Sequence, residues 1–392
     1  MTDLILVLNA GSSSIKFALH PASPEEGGPT LAGEIGGIGS APDFRAADAG
    51  GAPLDVNILE GMDGSADHGG LVSRLLDWLL AGDWGGCIAA AGHRVVHGGR
   101  RFDRPVLIDD TVMTSLEELV PLAPQHQPHS LAAIRAVAAR LPDLRQVACF
   151  DTAIHRTQPR LAQLFALPRH LSDAGIIRYG FHGLSYRYIA KVLPDHLGDR
   201  ADGRVIVAHL GNGASMCAMK ARQSVATSMG FTPLDGLMMG RRSGSIDPGV
   251  LFHLQESNGM DVAAVRQMLY RESGLLGVSG ISNDMRVLEA SDDANAKEAI
   301  DLFCYRAALE LGSLVAALGG LDAIVFTAGI GQHSQTVRRL ICDRLGWLGV
   351  EIDQAANDGH SARISTPGSK IDVLVIPTDE EAVIAEAART LI

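Results

Sequence analysis

Lysine is scarce in this sequence, and acidic residues outnumber basic ones. Only five of the 33 basic residues are lysines, and 45 acidic residues leave a formal net charge of −12 over 392 residues. A field of that sign repels nucleic acid and anionic membranes, so we expect neither as a partner. Any anionic ligand must be held by local arginines, whose planar guanidinium suits bidentate recognition of carboxylate and phosphate.

Paired cysteines and long apolar runs are also absent. The five cysteines are scattered with no CxxC pair, which favours a reducing compartment over a disulfide or zinc framework. No stretch approaches the roughly 20 apolar residues of a membrane span, and the N-terminus lacks the basic region of a signal peptide. We therefore expect a cytoplasmic protein.

Two segments half a chain apart share one pattern. Residues 4–19 and 204–219 each contain an apolar strand, a turn of small residues and a second strand, which is typical of a β-hairpin. A hairpin near the start of each half suggests duplicated α/β domains, although two unrelated hairpins would give the same pattern.

Strand and helix patterns alternate through the rest of the chain, which indicates α/β layers. Residues 21–70, rich in Gly, Pro, Asp and Ser, are the least determined region. The predicted helices cover 114–120, 130–141, 185–193, 294–318, 334–345 and 379–391, and the predicted strands cover 86–91, 145–151, 322–328 and 371–376.

The common phosphate-binding motifs are missing, so any phosphate must be bound in another way. No glycine precedes a lysine and no complete GxGxxG occurs, which excludes a Walker P-loop. Successive N–H groups in small-residue turns can form an anion-binding concavity instead. One such turn is more often structural, but three turns after apolar strands indicate phosphate binding: 9–14 (followed by Lys16), 209–213 and 327–331.

Ten sequence blocks occur in the order typical of one enzyme family. The chain resembles acetate kinases, which belong to the superfamily of acetate and sugar kinases, heat-shock ATPases and actin. The blocks are LVLNAGSSSIKF (6–17), GHRVVHGG (92–99), FDTAIH (150–155), YGFHG (179–183), HLGNGAS (209–215), SMGFTPLDGL (228–237), GSIDP (244–248), GVSGISNDMR (277–286), FTAGIG (326–331) and IPTDEE (376–381).

The resemblance implies an α/β fold with duplicated ribonuclease H-like (actin-like ATPase) domains and an active-site cleft between them. The N-terminal domain would be residues 1–151, with the C-terminal helix 383–392 packing back on it. A C-terminal nucleotide-binding domain would cover 152–382. Family members are homodimers, so we expect a homodimer here.

The resemblance further implies reversible, direct in-line transfer of the ATP γ-phosphoryl group to acetate, giving acetyl phosphate and ADP. Acetate is already an anion at neutral pH, because an ordinary carboxyl group has a pKa of about 4 to 4.5. It needs no general base; the difficulty is to bring two anions together, which requires positioning and cations. The expected cofactor is Mg²⁺, with Mn²⁺ as an alternative.

Three other activities stay open at this stage. A propionate kinase shares every catalytic motif. A pyrophosphate-forming variant would use phosphate instead of ADP. An ATPase clamp of the actin or heat-shock type would not need Arg94 and Arg242, the two arginines that the resemblance assigns to the carboxylate and the phosphoryl group.

Catalytic roles follow residue by residue from the resemblance. Arg94 and Arg242 match the paired arginines that grip the carboxylate and the transferring phosphoryl group. Asp151 and Glu380 suit a magnesium ion that keeps several waters, with Asn9 as a further metal contact. Either Glu380 or the adjacent Glu381 could be the functional one.

The other roles concern the phosphoryl group, the acyl pocket and the nucleotide. His182 would donate to the transferring phosphoryl group and, with Arg242, stabilise the transition state, and His126 would be a second histidine near the site. The acetate methyl pocket would contain Val96, Phe181 and Pro233. The expected nucleotide contacts are Ser12, Ser14, Lys16, His209, Leu210, Gly211, Asn212, Gly213, Asp284, Met285, Arg286, Gly329, Ile330, Gly331, Gln332 and His333.

Without the resemblance these residues have ordinary structural explanations. The two arginines would form surface salt bridges, the carboxylates of Asp151 and Glu380 would satisfy helix-start N–H groups, and the histidines would be structural.

The sequence departs from the family pattern at four places. Gln125 and Gln127 flank His126 where the family has leucine and asparagine, and Gln125 falls where leucine helps to line the acyl pocket. Gln125 could turn its amide away and leave extra room, or present a polar group near the acyl chain. The other departures are GLSY at 183–186, Arg241 before Arg242, and the pair Gln332 and His333.

Overall fold

The computed structural model describes residues 2–11, 14–39, 41–62 and 67–392. The described residues form two compact units. The first unit contains residues up to Ala153 together with Asp379–Ile392, and the second contains Ile154–Thr378.

Twelve strands form two sheets in the described residues. The first unit has β1 (Leu4–Ala10), β2 (Ile15–Pro21), β3 (Leu31–Gly36), β4 (Asp43–Asp48), β5 (Ile88–Val95), β6 (Val106–Leu107) and β7 (Arg145–Phe150). The second unit has β8 (Arg204–Leu210), β9 (Ala214–Lys220), β10 (Gln223–Thr227), β11 (Ala323–Thr327) and β12 (Asp372–Val375).

Helices connect and cover the strands. In chain order they are α1 (His68–Ala81), α2 (Asp110–Glu118), α3 (Gln127–Arg140), α4 (Arg160–Gln163), α5 (Arg169–Asp173), α6 (Gly183–Leu197), α7 (Pro248–Glu256), α8 (Val262–Gln267), α9 (Gly274–Ser279), α10 (Met285–Glu289), α11 (Ala294–Leu318), α12 (Ala328–His333), α13 (Gln335–Asp343), α14 (Gln354–Asp358) and α15 (Glu380–Leu391). Short 3₁₀ turns cover Pro24–Glu26, Gly85–Cys87, Val120–Leu122, Ala153–Thr157, Gly198–Asp202 and Gly346–Leu348, and Met268–Glu272 is a π-helical turn.

The two sheets share a core of five strands with the same topology, to which the first sheet adds β4 and β6 at its edges. The first has the strand order β4-β3-β2-β1-β5-β7-β6 and the second β10-β9-β8-β11-β12. In each, an antiparallel meander of three strands is followed by two strands parallel to the first of them. The five strands β3-β2-β1-β5-β7 thus repeat as β10-β9-β8-β11-β12. The predicted hairpins and the duplicated ribonuclease H-like fold are confirmed.

The core of the first unit lies between the sheet and α1 and α3. Alternation along β2 directs Phe17 towards Trp78 of α1, with ring centroids 6.1 Å apart and edge-to-face. Asp67 caps α1 by accepting from the N–H of Gly70 at 2.8 Å. On the opposite face of the sheet α15 packs so closely that a Cβ on Gly92 would lie 2.5 Å from Ile384 Cγ2. The residue at position 92 must therefore be small.

The predicted helices and strands all occur, with ends shifted by a few residues. No sequence pattern predicted α1, β6, β10 or the short helices α4, α5, α7 to α10 and α14. The sequence also left residues 21–70 undetermined. In the structure, β3 and β4 form a hairpin in this region, at the edge of the sheet. Only Ala46 of β4 is buried, so that strand has little apolar alternation to reveal it.

The longest helix belongs to the second unit. α11 has 25 residues and buries a stripe of alanine and leucine that includes Ala299, Ala307 and Leu311. Neither α11 nor any other described helix is both long and apolar enough for a membrane crossing.

Candidate active site

Polar side chains from four segments of the first unit meet at one edge of its sheet. Asn9 and Arg94 are the last but one residues of β1 and β5, Asp151 follows β7, and Glu380 and Glu381 begin α15. β1, β5 and β7 are parallel neighbours, so their carboxyl ends lie together, which is where open α/β sheets bind ligands. Four of the residues assigned from the sequence are thereby brought together.

Arg94 links the members of this group. Its Nε and Nη2 donate to Asp151 Oδ2 at 3.0 and 2.6 Å, and its Nη1 donates to Asn9 Oδ1 at 3.2 Å. Only 18% of the Arg94 side chain and 1% of the Asp151 side chain are exposed. Burial lowers the pKa of Arg94, but the carboxylates of Asp151 and Glu380 more than reverse this and raise it, so the guanidinium stays charged.

Asp151 keeps one carboxylate oxygen for a further ligand. Burial raises the pKa of Asp151, and the Arg94 guanidinium opposes that shift. Both hydrogen bonds from Arg94 go to Oδ2, while Oδ1 is buried and has no hydrogen-bond partner among the described residues. A buried oxygen of this kind costs free energy unless a cation or donor meets it.

The acidic start of α15 is held by Asn9. The Asn9 Nδ2 group donates to Glu380 Oε2 and to Glu381 Oε1, both at 3.1 Å. Asp379, rather than Glu380, caps the helix by accepting from the Ala382 N–H at 2.8 Å. Helix capping therefore does not account for Glu380.

This donor set fits a partly hydrated magnesium ion. The described residues contain no cluster of three or more His, Cys, Asp or Glu side chains that could enclose a metal by themselves. Magnesium, however, keeps several waters and is usually held by one or two carboxylates together with substrate phosphates. The unpartnered Oδ1 of Asp151 and the carboxylate of Glu380 match that requirement.

The second unit presents a group of its own around the turn after β8. His182 has φ 57° and immediately precedes α6. Its Nδ1 lies 2.8 Å from Ser215 Oγ, which in turn lies 2.5 Å from the Tyr186 hydroxyl. The His182 ring stacks on His209, with centroids 4.3 Å apart. The contacts with Ser215 and His209 therefore fix the orientation of the His182 ring through Nδ1 and one ring face, and Nε2 is the second ring nitrogen.

Arg242 and His182 flank Gly213. A Cβ on Gly213 would lie 3.3 Å from His182 Nε2 and 3.6 Å from Arg242 Nη2. Arg242 Nη1 donates to the carbonyl of Pro233 at 2.8 Å, which anchors the guanidinium. Two donors assigned to the phosphoryl group are thus directed to one glycine turn.

Asn212, in the same turn, contacts the segment that precedes Arg242. Its side-chain oxygen accepts from Asn283 Nδ2 at 3.2 Å, and the Gly240 N–H donates to its backbone carbonyl at 3.1 Å. A Cβ on Gly240 would collide with the Asn212 side chain. Close packing therefore ties 212, 240 and 283 together.

The prediction of a third small-residue turn is wrong. Residues 327–331 do not form a turn: β11 ends at Thr327, and α12 begins at Ala328 with φ 63°. A small-residue run after a strand suits either structure, because both need a sharp change of direction. Gly331 packs close to Phe326 and Ala208, and the His333 ring lies 6.3 Å from that of His360.

The remaining assigned residues are dispersed. Ser12 lies outside the described residues, and the Ser14 carbonyl accepts from Gly11 N at 2.8 Å. Lys16 and Glu381 line a cavity of about 210 Å³ beside β2. Asp284 caps α10 and pairs with Arg286 at 2.6 Å on the surface. The other assigned residues lie at or beside the ends of elements. Val96 follows β5, His126 precedes α3, Phe181 lies just before α6, Leu210 ends β8 and is followed by Gly211, Met285 begins α10, and Gly329 and Ile330 are in α12.

Two residues near the assigned ones received no role from the sequence. One is Gln127, which was noted only as a departure from the family pattern. Gln127 is fully buried, and its Oε1 accepts from the His97 N–H while its Nε2 donates to the His97 carbonyl, both at 3.1 Å. His97 follows Val96, a residue assigned to the acyl pocket. The Gln127 amide therefore fixes the backbone beside that pocket residue. Ser215, which orients His182, was also missed, although it ends the HLGNGAS block.

A duplicated ribonuclease H-like fold, an arginine–carboxylate group and a glycine turn flanked by histidine and arginine suit a phosphotransferase, and the family match gives the same class. The Acetokinase family matches residues 4–386. The chain belongs to this family, and the resemblance of its sequence blocks is confirmed.

Individual relatives agree with this assignment. The chain is 53% identical over 391 residues to the acetate kinase of Rhodopseudomonas palustris, covering 98% of this chain and 97% of the relative. Among solved structures, a propionate kinase from Francisella tularensis superposes with a TM-score of 0.91 at 36% identity over 100% of both chains. The acetate kinase of Porphyromonas gingivalis superposes with a TM-score of 0.87 at 37% identity over 99% of both chains.

Proposed function

We propose that this chain is an acetate kinase, which transfers the γ-phosphoryl group of ATP reversibly to acetate and gives acetyl phosphate and ADP. The observation that carries the proposal is Arg94, a buried and permanently charged guanidinium fixed by Asp151 and Asn9. A bidentate cation of this kind suits a small carboxylate. Relatives named acetate kinase, up to 53% identical, support the same acceptor.

The acceptor step needs positioning rather than base catalysis. Arg94 orients the acetate carboxylate, and one acetate oxygen attacks the γ-phosphorus as the bond to the β,γ-bridging oxygen breaks. That oxygen leaves on ADP with the electron pair. Asp151 is not required as a base, because acetate is already ionised near pH 7, about three units above its ordinary pKa range.

The donors of the second unit act on the transferring group. Arg242 Nη2 and His182 Nε2 stabilise charge on the equatorial phosphoryl oxygens, which is the main requirement of an in-line transfer. Ser215 holds the His182 ring so that Nε2 serves this purpose. Residues 209–213, 284–286 and 329–333 bind the nucleotide, which makes the second unit the nucleotide-binding domain.

Asn9, Asp151 and Glu380 would hold the divalent metal. The metal supplies charge neutralisation between the phosphate groups. The chain's own contribution is to place the unpartnered Oδ1 of Asp151 and the carboxylate of Glu380 at one sheet edge.

Propionate is the second candidate acceptor, because a propionate kinase is among the most similar solved structures. Gln125 is half-buried in the turn before α3. If its amide turns away from the acyl pocket, the extra room admits propionate nearly as well as acetate. If it faces the pocket, it disfavours any longer apolar chain, because the desolvated amide would lack a partner.

We infer that the Gln125 amide turns away from the pocket, because the long side chain can reach solvent. The variant Gln125→Leu is then expected to raise the ratio of kcat/KM for acetate over propionate several-fold and to leave the KM for ATP unchanged. A methylene in an apolar pocket is worth about 1–3 kcal/mol of discrimination. Steady-state rates on both acids measure the ratio. If it does not move, Gln125 is not part of the pocket wall.

The proposed activity is tested by ADP release in the presence of acetate, propionate or no acid. An acetate kinase releases ADP only with the acid. An ATPase clamp of the actin or heat-shock type would release ADP without it, and a pyrophosphate-forming enzyme would require phosphate instead of ADP in the reverse direction.

We also infer a cytoplasmic homodimer. Scattered free cysteines suit a reducing compartment. Phe252 of α7 and Tyr305 and Leu309 of α11 are 60%, 50% and 52% exposed, and Arg306 of α11 donates to the Ser245 carbonyl just before α7. A second copy of the chain would cover this apolar surface. Sedimentation should therefore give twice the chain mass of 41.3 kDa, and a monomer would contradict the inference.

A further inference from the structure

Arg338 of α13 is the largest side chain among those that the described residues bury completely. All five of its N–H groups meet acceptors, and none of these is a carboxylate. Nε donates to Asn357 Oδ1 at 2.8 Å, and Nη1 donates to the carbonyls of Gly331 and Gln332 at 3.0 and 2.7 Å. Nη2 donates to the Asn357 carbonyl at 2.7 Å and meets His360 Nδ1 at 3.1 Å.

No carboxylate in the described part of the chain forms a hydrogen bond with this guanidinium. Asp358 and Glu289 act on it only through space. Burying a cation is costly unless it is well solvated by the protein, and five ordered acceptors supply that solvation here. The arrangement fixes every acceptor in place, because each one must stay oriented towards the buried charge.

Two of the acceptors belong to a segment of functional interest. Gly331 and Gln332 lie at the end of α12, within 329–333, which the proposed function assigns to the nucleotide. Arg338 draws both carbonyl oxygens inward. Oxygen atoms that carry negative partial charge are thereby kept from turning towards an anionic ligand, and α12 is tied to α14 through Asn357.

We propose that Arg338 is a positioning residue for the adenine nucleotide. It holds the 329–333 segment in the conformation that binds ATP, without touching the nucleotide itself. This inference rests on the proposed nucleotide role of that segment. It does not depend on which carboxylic acid is the acceptor.

The variant Arg338→Lys tests the proposal, because lysine keeps the charge but has three donors at a single point and cannot reach both α12 and α14. The dissociation constant of ADP, measured by calorimetry without acid, and the KM for ATP should each rise about tenfold or more, the scale of one or two lost hydrogen bonds to a charged group. The KM for acetate should be unchanged.

Arg339→Lys is the matched control. Arg339 is the next residue of α13, but its side chain is 41% exposed and pairs with Asp343 at 3.2 Å. It should leave ADP binding and both KM values as in the parent. Near-ultraviolet circular dichroism of both variants reports whether the tertiary packing is retained.

Three outcomes would overturn the proposal. One is unchanged ADP binding in Arg338→Lys. Another is a parallel rise in the KM values for ATP and acetate, which would indicate general loosening. If Arg338→Lys does not fold, Asn357→Ala removes only one acceptor and should still weaken ADP binding; no weakening would refute the positioning role. A parent enzyme that binds ADP but shows no acetate turnover would refute the proposed function and leave this inference standing.

Discussion

Replacing Arg242 by alanine is expected to lower kcat by about 10³-fold or more, the scale of a catalytic arginine in phosphoryl transfer. Arg242 Nη1 is anchored on the Pro233 carbonyl, and Nη2 lies beside Gly213 with His182 Nε2. Loss of the guanidinium removes a donor placed to stabilise the transferring group, whereas the fold keeps its other contacts. Single-turnover and steady-state rates at saturating ATP and acetate measure the effect.

Lysine at position 242 should recover little of the lost rate, because its donors lie on a single nitrogen and cannot reproduce the two separated Nη groups, one on the Pro233 carbonyl and one beside Gly213. Arg241→Ala is the control, since the exposed Arg241 side chain donates to Asn283 Oδ1 over a long 3.4 Å. It should keep kcat close to that of the parent. A lysine variant with near-parental turnover would remove Arg242 from the mechanism.

Asp151→Asn and Glu380→Gln are each expected to raise the magnesium concentration needed for half-maximal rate. Each change replaces an anionic oxygen by a neutral one at the sheet edge that fits the metal. Asp151→Asn should have the larger effect, because it also removes the carboxylate that pairs directly with buried Arg94, whereas Glu380 acts on Arg94 only through space. Magnesium titrations of the initial rate at saturating ATP report both changes.

Glu381→Gln is the comparison that separates the two adjacent carboxylates. Both glutamates accept from Asn9 at 3.1 Å, but Glu380 also acts on the pKa of Asp151, which places its charge beside that carboxylate. Glu381 instead lines the cavity with Lys16. The magnesium requirement should therefore rise in Glu380→Gln and not in Glu381→Gln. The reverse result would assign the metal to Glu381.

Much of the fold was predictable because its signals are local. The hairpins at β1–β2 and β8–β9 combine alternating apolar residues with small-residue turns, and such patterns need no tertiary information. In the structure Asn9, Arg94 and Asp151 lie at the carboxyl ends of three parallel strands, but the sequence pattern itself placed only Asp151 at the end of a strand. The role of Arg94, and the contact of Asn9 with Glu380, 371 positions away in the chain, required the resemblance to a known family.

Other features depend on tertiary contacts that the sequence does not reveal. An arginine is ordinarily exposed, so nothing local predicts that Arg338 is buried; five acceptors from three segments make it so. The sequence around Gln127 likewise does not predict its role, because its amide forms hydrogen bonds with the His97 backbone that exist only in the folded structure. β4 was missed because only one of its six residues, Ala46, is buried.

Trapping of the acyl phosphate with hydroxylamine tests the central claim most directly. Purified protein is incubated with Mg-ATP, hydroxylamine and acetate, and acetohydroxamate is measured beside ADP. The proposed function predicts acetohydroxamate in equal amount to ADP, none without acetate, and almost none in Arg242→Ala. ADP release without acetohydroxamate, or equal ADP release whether or not acetate is present, would contradict acetate as the phosphoryl acceptor.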